Sequence, residues 1–179
     1  MAAHPLDEDL QVGRYRLDVI AVDVEEAVHF AGGLICDQSL AGWDVNVVTR
    51  TRGGEHALPI LGAAAARELP ANDAALYQTL AVSAAAISTD DAVRERVLAG
   101  SAADATDILV WDAQRSVAVP AVFETIEHDV SAAARAYRQQ ALRALGVERE
   151  CGAIEVFLGR RQPARVAAGA AGQAVRSRV

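Results

Sequence analysis

Apolar positions along the chain fall into two patterns, short continuous runs and runs with a helical spacing. Arg16–Val24 is nearly continuous in apolar, β-branched residues, which is typical of a strand covered on both faces. Glu25 and Glu26 then suit the first turn of a helix, and apolar residues keep a roughly helical spacing until Gly42. A second β-branched run, Asp44–Arg50, follows. The first fifty residues therefore predict a βαβ unit.

The same patterns continue to the end of the chain. Gly62 divides Ala57–Pro70 into a predicted short strand and a short Ala-rich helix, and Pro59 places that strand at a sheet edge. A strand at Leu80–Ser83 precedes a helix starting near Ser88, which has the spacing of a capping box with Asp91. Further predicted elements are a strand at Thr106–Ala113, a helix at Asp129–Leu145 with a buried stripe of Val130, Ala134, Tyr137, Ala141 and Leu145, and a last strand at Ala153–Gly159.

Strands that alternate with helices in this way favour a parallel sheet with helices on both faces. We predict an α/β fold: a single three-layer α/β/α sandwich, Rossmann-like or flavodoxin-like, with a mostly parallel sheet of about five strands. Residues 1–13 form a polar lead-in, residues 14–159 the domain, and residues 160–179 an arginine-rich flexible tail.

Gly32 and Gly33 raise the question of a phosphate-binding turn. A dinucleotide fingerprint places its glycines directly at the strand-to-helix turn, whereas here glutamates occupy that turn and the glycines follow later. We therefore interpret the pair as packing residues. The run from Ala31 to Thr49 resembles the opening helix and second strand of glycosyltransferases with two Rossmann-like domains, which implies βαβ architecture and transfers no active-site residue.

The amino-acid composition excludes several catalytic mechanisms and binding roles. All 17 basic residues are arginine, which excludes a Walker-type lysine loop and a Schiff-base lysine, and the amino-acid bias suggests a high-GC bacterium. The net charge of −7 makes nucleic-acid binding an unlikely role. The two cysteines lack the spacing of a zinc site or a disulfide framework, which predicts a cytoplasmic protein. We also predict that the protein is not bound to membranes, because the sequence contains no pattern of a signal peptide and no apolar run long enough to span a membrane.

Ligands of open α/β sheets bind beyond the carboxyl ends of the strands. The polar residues at those predicted ends are Asp23, Thr49, Arg50, Ser83 and Asp112. Asp23 and Asp112 have two readings, a cation or sugar-hydroxyl site and simple helix or loop caps. Because no histidine or third carboxylate has matching spacing, we predict no metal site, and the sequence names no cofactor.

Arginine concentrates in the C-terminal third of this acidic chain. The candidate interaction surface consists of Arg135, Arg138, Arg143, Arg160 and Arg161. Because no catalytic set is recognisable, the preferred hypothesis is a non-enzymatic module that binds a protein partner or associates with itself. The alternative is a small enzyme, or a protein that binds a nucleotide or sugar, whose small-molecule ligand occupies the carboxyl edge of the sheet.

Overall fold

A computed structural model describes residues 15–68, 78–102, 106–112 and 123–160. The predicted lead-in, and the tail apart from its first residue, lie outside these ranges. The strands are β1 (Arg16–Ala21), β2 (Asp44–Thr49), β3 (Ala64–Ala66), β4 (Gln78–Ser83), β5 (Thr106–Trp111), β6 (Glu124–Asp129) and β7 (Ile154–Arg160). The helices are α1 (Val24–Leu40), α2 (Ala84–Thr89), α3 (Asp91–Ala102), α4 (Ala132–Ala144) and a 3-10 helix (Glu55–Leu61). Among the described helices, none has the length and apolar character needed to cross a membrane.

The strands form one mixed sheet in the order β3-β2-β1-β4-β5-β7-β6. The first five are parallel neighbours, and β7 runs antiparallel to both β5 and β6. This confirms the α/β class, but the prediction of about five mostly parallel strands is wrong. β6 was not predicted, because its residues alternate between exposed polar and buried side chains and the strand contains no continuous apolar run.

Helices cover both faces of the sheet. Leu17 and Val19 of β1 belong to a core shared with α1, α4 and the 3-10 helix, while Ile20 faces the core beneath α2 and α3. This alternation follows from the twofold periodicity of strand side chains. The largest fully buried side chains are Trp111 and Phe157, both on the α1 face.

The segment around Gly62 folds in the opposite order to our prediction. The 3-10 helix comes first, with Pro59 inside it and the left-handed residues Gly54 and Gly62 at its two ends. The alanines that follow form β3, which pairs with β2 at the sheet edge. Strand pairing has overridden the helical preference of alanine, a common outcome because propensity is a weak prior.

The predicted capping box is also wrong. Ser83 caps α2, since its hydroxyl accepts hydrogen bonds from the amides of Ala85 and Ala86. Ser88 instead donates to the carbonyl of Ala84, and Asp90 accepts the first free amides of α3. α2 therefore starts directly after β4. Ser83 is both the last residue of the strand and the N-cap of the helix.

The buried stripe of α4 is rotated from the predicted one. Tyr137 is 48% exposed, whereas the next residue, Arg138, is only 5% exposed. A hydrophobic pattern cannot find a buried arginine, because the burial depends on a partner elsewhere in the chain. That partner is Glu155 of β7, 3.2 Å from Arg138.

Candidate functional site

β1 and β4 are parallel neighbours, and the order in which strands are added to the sheet changes direction between them. β1 continues into α1 on one face of the sheet, while its neighbour β4 continues into α2 on the other. In open α/β sheets this arrangement opens a crevice at the carboxyl ends of the two strands, where ligands bind. The carboxyl edge of the sheet between β2 and β5 is therefore the place to examine for a site.

Glu26 lies at the centre of this edge and joins three strands. Its Oε2 accepts a hydrogen bond from the Val22 amide at the end of β1 (2.7 Å). Its Oε1 accepts from the Ser83 hydroxyl of β4 (2.6 Å) and from the Trp111 indole of β5 (3.4 Å). A carboxylate with three donors from separate strands fixes their ends relative to one another.

Asp23 begins α1 beside this carboxylate. Its Oδ1 accepts a hydrogen bond from the Glu26 amide (2.8 Å), which makes Asp23 the N-cap of the helix. The N-cap side chain and the residue three positions later thus satisfy free amides together, as in a capping box. This spacing orients Glu26 back towards β1.

The loop after β2 carries Arg50 to the same edge. The Arg50 and Thr51 amides donate to the carbonyl of Val22 at 3.1 and 3.0 Å. The guanidinium of Arg50 donates through Nη1 to the hydroxyl of Thr89 at the end of α2 (2.5 Å). Arg50 therefore spans the end of β1, and it remains exposed to solvent.

Asp112 follows β5 with a φ of +52°, the only positive φ among the described non-glycine residues. Left-handed backbone is costly for residues with a side chain, although Asp tolerates it better than most. Such conformations concentrate at functional sites. A partly buried carboxylate therefore terminates the strand next to Ser83 and Trp111.

The fold resembles that of two solved deacetylases. One was solved in complex with teicoplanin and belongs to the teicoplanin biosynthesis pathway; it has a TM-score of 0.55 and 14% identity over 80% of this chain and 97% of that chain. The other, an A40926 pseudoaglycone deacetylase, has a TM-score of 0.54 and 15% identity over 85% of this chain and all of that chain (100%). No protein-family model and no curated protein matches the sequence.

These likenesses correct the preferred functional hypothesis. Both structures are enzymes, and at this identity the likeness establishes a shared fold. The prediction of a non-enzymatic interaction module is therefore wrong, and the alternative, an enzyme or small-molecule-binding protein, is the better supported reading.

The structure places the predicted edge residues as follows. Asp23, Arg50 and Asp112 lie at the carboxyl edge with side chains at least partly accessible. Ser83 is there too, but it is fully buried and its hydroxyl is engaged by Glu26, so substrate cannot reach it. Thr49 donates to the carbonyl of Thr51 and so shapes the loop. Sequence reasoning missed Glu26 and Trp111 as site residues; the acid-x-x-acid spacing from Asp23 was the available signal.

Other reactive groups lie outside this edge. Burial, helped by Asp37, raises the pKa of Cys36 to about 11, and burial also raises the pKa of Cys151, so neither thiol is activated. Within the described ranges, no group of three or more His, Cys, Asp or Glu is arranged to hold a metal ion.

The candidate arginine surface is only partly a surface. Arg135 and Arg143 are exposed on α4, and Arg161 lies outside the described residues. Arg138 is buried, so its place in that surface is a wrong prediction. Arg160 is partly buried and donates to the carbonyl of Ser101 (2.5 Å).

Proposed function

We propose that this protein is a small-molecule enzyme whose substrate binds in the crevice between β1 and β4, and that it removes an acetyl group by hydrolysis. The observation that carries the proposal is the carboxyl edge itself, where Glu26 binds Val22, Ser83 and Trp111 in what we call the Glu26 junction. Asp23, Arg50 and Asp112 lie at the ends of the strands on this edge. The shared fold with two deacetylases supports the choice of reaction.

Asp112 and Arg50 have different roles in the proposed hydrolysis. Hydrolysis adds water across the acetyl carbonyl and breaks its bond to the leaving nitrogen or oxygen, giving acetate and the freed amine or alcohol. We assign Asp112 as the base that takes a proton from water and returns it to the leaving group. Arg50, held by Thr89, supplies positive charge for the oxyanion that develops on the carbonyl oxygen.

Glu26 and Ser83 have a different role. Their hydrogen bond connects α1 to β4, and the hydrogen bond from the indole of Trp111 to Glu26 connects α1 to β5. These groups fix the strand ends that carry Asp23 and Asp112. They support the reacting groups without touching substrate.

Acetate release from small acetylated probes tests the proposal. N-acetylglucosamine supplies an amide, p-nitrophenyl acetate an ester, and teicoplanin a large ligand. We expect acetate release by the native protein and a loss of about 100-fold in Asp112→Asn, since general-base catalysis contributes on that order. The asparagine tolerates left-handed backbone, so the fold is retained.

Asp44→Asn is the matched control, because Asp44 begins β2 at the opposite edge of the sheet and is exposed. Its acetate release should equal that of the native protein. Equal rates for Asp112→Asn and native protein would refute the assigned base. Thermal stabilisation by a probe without any acetate release would refute hydrolysis and leave a binding protein.

A further inference from the structure

Two side chains from distant elements enter the middle of α1. Arg138 of α4 donates through Nε to the carbonyl of Val28 (3.1 Å) and through Nη2 to the carbonyl of His29. Glu155 of β7 accepts from the amides of Gly33 (2.7 Å) and Leu34 (2.8 Å). α1 is one continuous helix from Val24 to Leu40, in which the carbonyl of His29 and the amide of Gly33 lie one turn apart. Here each of those groups has a charged side-chain partner.

The two glycines make this approach possible. A Cβ at Gly32 would lie 3.0 Å from the Cγ of Arg138. A Cβ at Gly33 would lie 2.6 Å from both methyl carbons of Val130 and 3.0 Å from the Oε1 of Glu155. Gly32 and Gly33 therefore admit a buried ion pair, not a phosphate.

The ion pair also complements the backbone dipoles of α1. A cation is favourable beside backbone carbonyls, and an anion is favourable beside backbone amides. Arg138 meets the carbonyls of Val28 and His29, and Glu155 meets the amides of Gly33 and Leu34. The pair therefore fixes the middle of α1 against α4 and β7.

The N-terminus of the same helix carries the candidate site. Asp23 caps the helix and Glu26 lies in its first turn, so a shift of α1 moves both carboxylates relative to β4 and β5. The Arg138–Glu155 pair connects α1 to α4 and β7, and β7 in turn pairs with β5. We infer that this buried pair positions the N-terminus of α1. It thereby holds the Glu26 junction, and the carboxyl edge that carries Asp23 and Asp112, in place relative to β4 and β5. Its effect on catalysis rests on the proposed function.

Several other charged groups surround the pair. Asp37 of α1 accepts from His128 of β6 (3.0 Å) and contributes to the electrostatic environment of Glu155. Cys151 lies in the segment before β7, where Arg138 and Glu155 both act on it. The test therefore compares all variants at one fixed pH.

The indole resonance of Trp111 gives a direct readout of the Glu26 junction, because that indole donates to Glu26. The chain has two tryptophans, and a Trp43→Phe variant assigns the two nitrogen-15 resonances. We expect Glu155→Gln to shift the Trp111 indole resonance at about pH 8, and to lower acetate release by about tenfold to 100-fold through misplacement. Glu127→Gln, an exposed carboxyl on β6, is the control and should change neither.

A second variant keeps the test decisive if Glu155→Gln fails to fold. Replacing both partners, Arg138→Met with Glu155→Met, removes the charges while filling the space, a change that proteins often tolerate. The inference predicts a shifted Trp111 resonance in this variant as well. An unshifted resonance in either folded variant would overturn it. A shifted resonance with no acetate release in the native protein would instead overturn the proposed function alone.

Discussion

Gly33 has no room for a side chain, and this makes it the most informative single position. In Gly33→Ala, we expect the free energy of unfolding to fall by about 3 kcal/mol. The new methyl group overlaps Val130 and displaces Glu155, at a cost of about 1–3 kcal/mol for overpacking and a similar cost for weakened charged hydrogen bonds. The gain in helix propensity offsets about 1 kcal/mol of this. Urea unfolding measures the difference.

Gly152→Ala is the matched control. A Cβ at Gly152 would have no neighbour closer than 3.6 Å, and the residue is exposed. Its free energy of unfolding should change by less than about 0.5 kcal/mol. If the two alanine variants were equally stable, the close approach at Gly33 would be wrong.

Glu155 makes stability depend on pH. Burial outweighs the opposing effects of Arg138 and the two amides, and it raises the pKa of Glu155 from 4.5 to about 7. Between these values the folded protein keeps a proton that the unfolded chain releases, so the free energy of unfolding falls as the pH rises. The contribution is fully present below about pH 4.5 and is lost through about pH 7, by about 3 kcal/mol at 1.36 kcal/mol per unit.

Comparison of the native protein with Glu155→Gln isolates this effect, since all other titrating groups are shared. The stability advantage of the native protein should shrink by about 3 kcal/mol between about pH 5 and pH 8. Glu127→Gln, which removes an exposed carboxyl, should show a nearly constant difference. A constant difference for Glu155→Gln would contradict the raised pKa.

At the level of elements, the sequence predicted the parts of the fold whose signals are local. β1 and β5 are mostly apolar runs that are buried on both faces, β2 is rich in β-branched residues, and α1 begins at an acidic turn. The antiparallel β6–β7 pair was missed in part, because β6 alternates charged and buried residues and β7 pairs antiparallel with β5. Pairing direction depends on contacts distant in sequence, which apolar runs do not encode.

Part of the candidate site could likewise be predicted from the sequence, and part could not. Asp23, Arg50 and Asp112 could be predicted, because the ends of parallel strands meet at one edge. The Glu26 junction could not, since it depends on a side chain reaching two strands that follow more than fifty residues later. The burial of Arg138 depends on Glu155 in the same way.

The outer edge of β6 is protected by charge. Glu127 pairs in register with Val156, which is 55% exposed, and Asp129 pairs with Ile154. Acidic side chains on an edge strand oppose pairing with another copy. We expect Glu127→Val to create an apolar patch that causes concentration-dependent association, measured by light scattering. Glu127→Arg keeps a charge and should remain unassociated; association of both variants would show that the apolar patch is not the cause.

The two cores of the molecule share one sheet. Leu17 and Val19 belong to one core and Ile20 to the other, although they are neighbours on β1. Trp111 likewise follows Val110 of the opposite core on β5. Loss of either core therefore exposes strands on which the other depends, and this coupling favours a single cooperative transition.

We expect this coupling to be visible in equilibrium unfolding. Trp111 fluorescence, recorded in a Trp43→Phe background, reports the α1 face, whereas far-ultraviolet circular dichroism reports all helices. Because β1 and β4 are buried along their whole length, their amides should exchange with solvent only through global unfolding, while the exposed edge strand β3 opens locally at lower free energy. Separate midpoints for the two probes would mean that the two cores unfold independently, and equal protection in β3 and β4 would mean that β3 does not open locally.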